Sequence, residues 1–309
     1  MVYSVNKNGF LDVNSALANI KDDLELSITT ATVKGSQYNT KGQPYGNGQK
    51  AKEALIRSQG LINHLHELVK AELIRANIDP TKIFPPPGQS KPELKIAGLL
   101  KQKDQDICVK PTNIKQVREK ISWGPLVHEN VTCYLGKELT EQTLVINVRS
   151  QMSSLAKNAD TLFERTFAEA LNLHNLNPKL CLGEVYLIPV REYDDVAMLN
   201  NKVKFKNNTT NIAKYISFFN FINGRRDTTT EHHKYERCAL LIVDFSKEIP
   251  KLYNTTDELK KDNLVPKDFP IELEHISINA FIDDLLREYN QRFNNYDIYL
   301  DSMPRAVQK

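Results

Sequence analysis

The sequence predicts an α/β protein in which helices flank a mixed central sheet, with a mainly helical region before it. Two patterns indicate this class. Residues 51–79 carry apolar side chains at helical spacing, whereas from residue 92 onward short strand-like runs alternate with helical stretches. The chain has 309 residues, of which 40% are hydrophobic, enough for a substantial core. We therefore expect a helical region over residues 1–90 and an α/β core over residues 91–309.

The N-terminal region contains two predicted helices separated by a loop. Apolar residues recur at helical spacing over residues 11–28 and again over 51–79, where Gly60 marks an irregularity. Residues 34–49 are rich in Gly, Asn and Gln, which is typical of a loop. Prolines in residues 80–92 end the second helix. This region could serve recognition or dimerisation, or form a separate domain, and the sequence leaves these alternatives open.

The second region alternates between strands and helices. Continuous apolar runs predict strands at residues 106–111, 143–151, 179–190 and 237–245. Amphipathic patterns predict helices at residues 158–176, 212–224 and 276–293. The resulting order of strand, strand, helix and strand is typical of the packed middle of an α/β domain.

Composition disfavours several classes of protein. No apolar run is long enough to span a bilayer, and residues 1–10 lack the pattern of a secretion signal, so we expect a cytoplasmic protein without a membrane partner. The four cysteines lie far apart and form no CxxC pair, which argues against a zinc site or a disulfide framework. No glycine-rich phosphate loop of the known types is present.

Charge is unevenly distributed along the chain. The net charge is only +3, but residues 51–120 hold 13 Lys/Arg against 8 Asp/Glu, and residues 201–237 hold 8 against 3. Residues 238–309 reverse the balance, with 9 basic and 13 acidic residues. This distribution suits a surface that receives phosphates on one side, and it is equally compatible with ordinary surface charge.

The strand at residues 143–151 has an unusual polar face. Because successive side chains of a strand point to opposite faces, Asn147, Arg149 and Gln151 share one side of it. Such a face is either solvated or part of a site that needs hydrogen-bond donors. We keep both interpretations.

Asp106 opens the preceding strand and is the first candidate metal ligand. Hydrolysis of a phosphodiester with Mg²⁺ needs hard oxygen ligands and positive charge to hold the phosphate. Lys101 and Lys103 lie just before Asp106 and would supply that charge to DNA. A single aspartate at the start of a strand is also a common turn residue.

The order of elements around "KDQDICVKP", "LVINVRSQMSS", "DTLFERTFAEAL" and "LCLGEVYLIPV" resembles the PD-(D/E)XK nuclease superfamily, and in particular its type II restriction endonucleases. The resemblance covers roughly residues 92–245 and lies in the arrangement of elements more than in the letters. It implies a restriction-endonuclease-like mixed sheet and a Mg²⁺-dependent hydrolase of double-stranded DNA. Where the family carries E-x-K, this chain has Asn147-Val148-Arg149 or Arg149-Ser150-Gln151.

Two known departures within that superfamily ease the mismatch. Some members carry Gln in place of Lys, and others place the second acid on the following helix. By this resemblance Gln151 takes the lysine position, Asp106 and Glu164 bind the metal, and Arg149 or Gln151 polarises water or holds the scissile phosphate.

Each acid also has a purely structural interpretation. Glu164 could be stabilised by the helix dipole, and we interpret Glu169 as a helical partner of Arg165. Glu184 is a third candidate metal ligand, since an ionisable group in an otherwise apolar strand has to be satisfied. Asp244 resembles it in this respect.

A recognition loop is predicted around residues 200–237. Arg225 and Arg226 could contact guanine edges or phosphates there, and Asn223 an adenine. The adjacent histidines of "EHHK", residues 231–234, point in different directions on a regular element and so do not suggest a metal site. A solvated surface loop is the alternative for this segment.

These observations predict a Mg²⁺-dependent, sequence-specific type II site-specific deoxyribonuclease. We expect a homodimer, because a two-fold symmetric protein reads a palindrome with duplicate half-sites. The alternative is a non-catalytic DNA-binding protein on a nuclease-like scaffold. The absence of the E-x-K motif supports this alternative. An enzyme that acts on a small phosphorylated substrate is a third possibility, but the sequence contains no phosphate-binding loop of a known type that would support it.

Overall fold

The computed structural model describes residues 11–122 and 124–301. Its helices are α1 (Val13–Thr30), α2 (Gly48–Arg57), α3 (Ile62–Arg75), α4 (Lys137–Glu141), α5 (Leu155–Leu176), α6 (Asp195–Leu199), α7 (Ile212–Ile222), α8 (Thr256–Lys261) and α9 (Phe281–Phe293). Its strands are β1 (Ile83–Phe84), β2 (Leu94–Ala97), β3 (Gln102–Gln105), β4 (Ile107–Val109), β5 (Glu119–Lys120), β6 (Thr132–Cys133), β7 (Leu144–Ser150), β8 (Leu182–Pro189), β9 (Arg237–Asp244) and β10 (Lys251–Tyr253). The expectation of a mixed α/β protein is confirmed.

One sheet of six strands organises the molecule, in the order β1-β4-β7-β8-β9-β10. Its middle strands β7, β8 and β9 run parallel, and the strands on either side pair antiparallel. Parallel neighbours need a crossover connection, and α5 provides the one between β7 and β8. Strand β8 is buried along its whole length, which explains why its sequence is apolar except at Glu184.

The two faces of the sheet are covered by different helices. On one face, Ile146 and Val148 of β7 join a core that includes buried residues of α1, α2, α3 and α9. On the other face, Val145 joins a second core with α5 and α7. The N-terminal helices therefore share a hydrophobic core with the sheet.

Local signals shift the helix boundaries from the predicted ones. The helix predicted over residues 51–79 is two helices, because the chain turns between α2 and α3, where Gln59 adopts a φ of 58°. Helix α1 begins at Val13, two residues after Leu11, with the Asp12 carboxylate accepting from the Ser15 backbone N–H at 2.8 Å. None of the helices in the described ranges is long and apolar enough to cross a membrane.

Strands β2, β3, β5 and β6 form two small antiparallel hairpins beside the main sheet. Strands β2 and β3 pair, and β3 leads through Asp106 into β4. Strands β5 and β6 pair in the next hairpin. A small core of Ala97, Ile121, Leu126 and Cys133 joins the second hairpin to β2.

Candidate functional site

Three polar side chains form a row across neighbouring strands of the sheet. Asn147 of β7 lies beside Glu184 of β8 in the parallel ladder. Ile107 pairs with Ile146, so antiparallel register places the preceding residue, Asp106, opposite Asn147. The row lies on the face that α5 covers, among the residues of the second core.

Asp106 is the half-buried member of this row, and a hydrogen bond holds its carboxylate in place. Its Oδ2 accepts a hydrogen bond from the backbone N–H of Val148 at 2.9 Å. Asp106 is half-buried, so the carboxylate keeps access to solvent. This bond ties the start of β4 to the middle of β7 and explains why an aspartate stands where the strand begins.

Glu184 and Asn147 are fully buried side by side on β8 and β7. Among the described residues, neither carboxylate oxygen of Glu184 and neither polar atom of the Asn147 amide makes a hydrogen bond of regular geometry, although Asn147 lies close enough to lower the pKa of Glu184. Burial raises the pKa of Glu184 to about 7, and Arg149 opposes that rise. Buried polar groups without hydrogen bonds are rare in folded proteins, so this pair of side chains marks the row as unusual.

Arg149 and Lys103 bring positive charge to the row. The Nη1 of Arg149 lies 3.5 Å from Oε1 of Glu184 and donates to Oγ1 of Thr166 at 2.8 Å. The Nζ of Lys103 lies 3.2 Å from Oε1 of Glu169. Both cationic side chains are partly exposed, at 21% and 33%, so each keeps a side open to a ligand.

Helix α5 presents Thr166 and Glu169 to the sheet, and Glu164 is exposed. Glu169 is buried against Lys103, which corrects our interpretation of it as a surface partner of Arg165. The structure thus brings Asp106, Glu184, Arg149 and Lys103 together and leaves Glu164 outside the row. Thr166 and Glu169 belong to this group, and the sequence did not identify them as site residues. Their only signal in the sequence was a helical spacing that places them on one face of α5.

Gln151 serves a different purpose from the one predicted. Its Oε1 accepts from the hydroxyls of Tyr215 at 2.6 Å and Tyr186 at 3.3 Å. Its Nε2 donates to the backbone carbonyls of Ser154 at 3.4 Å and Leu155 at 3.3 Å. The amide is buried and fully engaged at the start of α5, so it holds that helix in place and offers no donor to a phosphate.

The predicted recognition loop is largely structural. Arg225 is fully buried and donates to Oε1 of Glu236 at 3.0 Å, which corrects the expectation that it contacts DNA. The amide of Asn223 accepts from the backbone N–H of Cys238 and donates to the carbonyl of His275. Arg226 is exposed, and so is Lys101 in the β2–β3 turn.

The row contains carboxylate and amide oxygens, the type of ligand that hard divalent cations prefer. Within residues 11–122 and 124–301, no three His, Cys, Asp or Glu side chains are arranged to hold a metal on their own. Mg²⁺, however, is commonly held by one or two carboxylates, with waters and substrate phosphates completing its shell. Asp106 and Glu184 supply two carboxylates, and the Asn147 amide lies between them in the sheet.

Comparisons with models of known protein families, with curated proteins and with solved structures find no match to this chain.

Proposed function

We propose that the protein is a Mg²⁺-dependent endonuclease that hydrolyses double-stranded DNA, with an active site at the row of Asp106, Asn147 and Glu184. The observation that carries this proposal is a pair of fully buried polar side chains, Asn147 and Glu184, that make no regular hydrogen bond within the described part of the chain and lie next to the half-buried carboxylate of Asp106. Leaving such groups without partners is costly in a folded protein, and functional sites are where that cost is accepted.

The order of elements supports the same assignment. Helix α3 precedes strands β1, β4 and β7, which pair antiparallel in turn, and α5 then leads to β8, parallel to β7. The PD-(D/E)XK nucleases resemble this arrangement, with an aspartate at the start of the second strand. A restriction-endonuclease-like fold is therefore part of the proposal.

Each side chain of the site has a proposed role. Asp106 and Glu184 would hold the Mg²⁺ ion, which supplies Lewis-acid stabilisation of the phosphate and acidifies bound water. Arg149, fixed by Thr166, would donate to the scissile phosphate, a task suited to its rigid fork of donors. Lys103 would neutralise charge on the same phosphate group. Here the buried Glu184 takes the place that we predicted for Glu164.

One observation favours the alternative, a DNA-binding protein without catalysis. Arg149 lies within ion-pair distance of Glu184, so its charge partly neutralises the carboxylate that would bind the metal. The positions of E-x-K hold Asn147 and Arg149, neither of which is an acid or a lysine. A site of this composition would still contact phosphates through Arg149 and Lys103.

A cleavage assay separates the two. Purified protein is incubated with unmethylated phage DNA, with Mg²⁺ or with EDTA, beside Asp106→Ala, Glu184→Gln and Glu164→Gln. We expect discrete Mg²⁺-dependent fragments that both Asp106→Ala and Glu184→Gln abolish, whereas Glu164→Gln, an exposed position, cuts like the parent protein. Loss of cutting in Glu164→Gln alone would return the second ligand to that residue, and uncut DNA that is shifted in a gel would favour the non-catalytic alternative.

The predicted homodimer is tested separately, by light scattering with and without a DNA duplex. A monomer under both conditions would contradict it.

A further inference from the structure

We propose that the β5–β6 hairpin is the element that contacts duplex DNA, with its outer face of Arg118, Lys120 and Tyr134 in the major groove. This inference rests on the proposed function, since it identifies the surface by which the same DNA would be held. It moves recognition away from residues 200–237, where Arg225 and Asn223 are engaged within the protein.

The hairpin is a twisted pair of strands longer than β5 and β6 alone. Glu119 pairs with Cys133 and Lys120 with Thr132. Backbone hydrogen bonds extend the pairing on both sides, from Val117 to Leu135 and from Ile121 to Val131. The result is a two-stranded ribbon over residues 117–121 and 131–135, hereafter the ribbon. The major groove of B-DNA is wide enough to admit such a ribbon.

The two faces of the ribbon differ in chemistry. Ile121 and Cys133 are buried in the small core with Ala97, which anchors the inner face to β2. Alternation along the strands places Arg118 and Lys120 on the opposite face, with Tyr134 across from Arg118. The guanidinium carbon of Arg118 lies 5.5 Å from the centre of the Tyr134 ring, and that tyrosine is 51% exposed.

The charge of this segment is complementary to a phosphate backbone. Residues 110–137 contain five Lys/Arg and two Asp/Glu. One of the acids, Glu119, accepts from the backbone N–H of Lys137 at 3.2 Å and so is occupied within the hairpin. Lys115, Arg118 and Lys120 are all exposed. Clustered basic side chains with an exposed aromatic neighbour suit a surface that binds nucleic acid.

The ribbon is connected to the candidate active site. The Nε2 of Gln102 donates to the backbone carbonyl of Thr132, which joins β3 to β6. Strand β3 carries Lys103 and runs directly into Asp106. At about 3.3 Å per residue, four residues of strand place Gln102 roughly 13 Å from Asp106, a separation that one duplex covers easily.

The test is a binding titration of the full chain with a short fluorescent DNA duplex in EDTA, which prevents cutting. The double variant Arg118→Ala/Lys120→Ala is compared with Lys261→Ala/Lys267→Ala, two exposed lysines in the acidic C-terminal stretch. We expect the ribbon variant to weaken binding at least about tenfold and to lower the salt dependence of log K by about 2, since each lost phosphate contact removes about one unit. Tyr134→Ala should weaken binding further, and the matched control should bind like the parent protein.

The titration and the cleavage assay together distinguish a wrong DNA-binding surface from a wrong enzymatic assignment. If the ribbon variant binds with the parent affinity and salt dependence while the parent still cuts DNA, the ribbon is not the DNA surface and the proposed function stands. If the ribbon variant loses binding but the parent never cuts, the ribbon holds DNA and the nuclease proposal falls. The variants should fold normally, because both substituted side chains are exposed. A circular dichroism melt equal to that of the parent protein checks this.

Discussion

The Nη1 of Arg149 lies 3.5 Å from Oε1 of Glu184, but its hydrogen bond goes to Thr166 instead. A fully paired arginine would satisfy the carboxylate. Here the cation is close, while both carboxylate oxygens lack regular hydrogen bonds among the residues described. The ionisation of this buried carboxyl group should therefore influence the stability of the whole protein.

Stability should fall with rising pH because of Glu184. Burial raises its folded pKa from 4.5 to about 7. The folded state then binds this proton more tightly than the unfolded chain, so the stabilisation is complete below about pH 4.5 and lost as pH rises through about 7. A difference of about 2.5 pH units corresponds to roughly 3 kcal/mol. Urea unfolding of Glu184→Gln in EDTA should lack this loss.

The control is Glu164→Gln, which removes an exposed carboxylate from the facing helix. Its free energy of unfolding should follow the parent protein at every pH. Parallel pH profiles for the parent protein and Glu184→Gln would show that Glu184 ionises normally.

Mg²⁺ should stabilise the folded protein if Asp106 and Glu184 hold it. A ligand that binds only the folded state at a concentration of a hundred times its Kd adds about 2.7 kcal/mol to the free energy of unfolding. Differential scanning calorimetry should show a rise in Tm with Mg²⁺ for the parent protein and no rise for Asp106→Ala. An equal rise in both would place the ion elsewhere, and this readout is independent of cutting.

The main strands and the crossover helix were predictable from the sequence. The runs in β7, β8 and β9 are mostly apolar because parallel strands are buried on both faces, and Asn147, Arg149 and Glu184 are among the polar exceptions. Strands β5 and β6 were not predictable, since each is only two residues long and depends on pairing across the hairpin. Such short strands have no periodicity that a sequence could display.

The sequence predicted the site residues that lie on the strands but not those that lie on helix α5. Asp106, Arg149 and Glu184 gather because register brings neighbouring strands together. On α5 the choice of acid depends on rotational phase. Glu169 is three residues beyond Thr166 and shares its face, whereas Glu164 is two residues before it, about 200° around the helix. That phase is fixed by packing.

Replacing Glu236 should be strongly destabilising. Its carboxylate is fully buried and accepts from Arg225 at 3.0 Å, Arg292 at 2.8 Å and the backbone N–H of Leu182 at 2.7 Å. Burial alone would raise its pKa, but His174, Arg292 and Arg225 lower it to about 2. Glu236→Gln leaves two arginines without their partner and should cost about 3–5 kcal/mol in urea unfolding.

Its low pKa also sets the direction of acid denaturation. The folded pKa lies below the ordinary value of 4.5, so this stabilisation is present above about pH 4.5 and lost as pH falls through about 2. Asp160→Asn is the matched control, because its salt bridge to Lys214 is exposed and should contribute less than about 1 kcal/mol. Equal losses in both variants would contradict a special role for burial.

Lys52→Met should stabilise the protein at neutral pH. Lys52 is 3% exposed and has no hydrogen bond or ion pair in the described part of the chain, with its Nζ 5.3 Å from the centre of the Tyr193 ring. Burial lowers its pKa from 10.5 to about 8. A charged Lys52 is therefore unfavourable below about pH 8, and removing it should add up to about 3 kcal/mol at pH 7.

The gain should shrink as pH rises through about 8 and be absent above about 10.5, where the lysine is neutral in both states. Lys50→Met, on the exposed side of the same helix, should change stability by less than about 0.5 kcal/mol at either pH. A gain for Lys52→Met that does not depend on pH would mean that packing, and not charge, is responsible.

The shared core of the N-terminal helices and the sheet bears on the order in which the chain is made. Helices α1, α2 and α3 are complete by residue 75, but the strand face that they cover includes Leu241 of β9. About 165 residues must follow before that partner exists. At ordinary rates of synthesis the apolar face of these helices therefore stays incompletely covered for roughly ten seconds or more on the ribosome. Apolar surface exposed for so long is what chaperones recognise in a nascent chain.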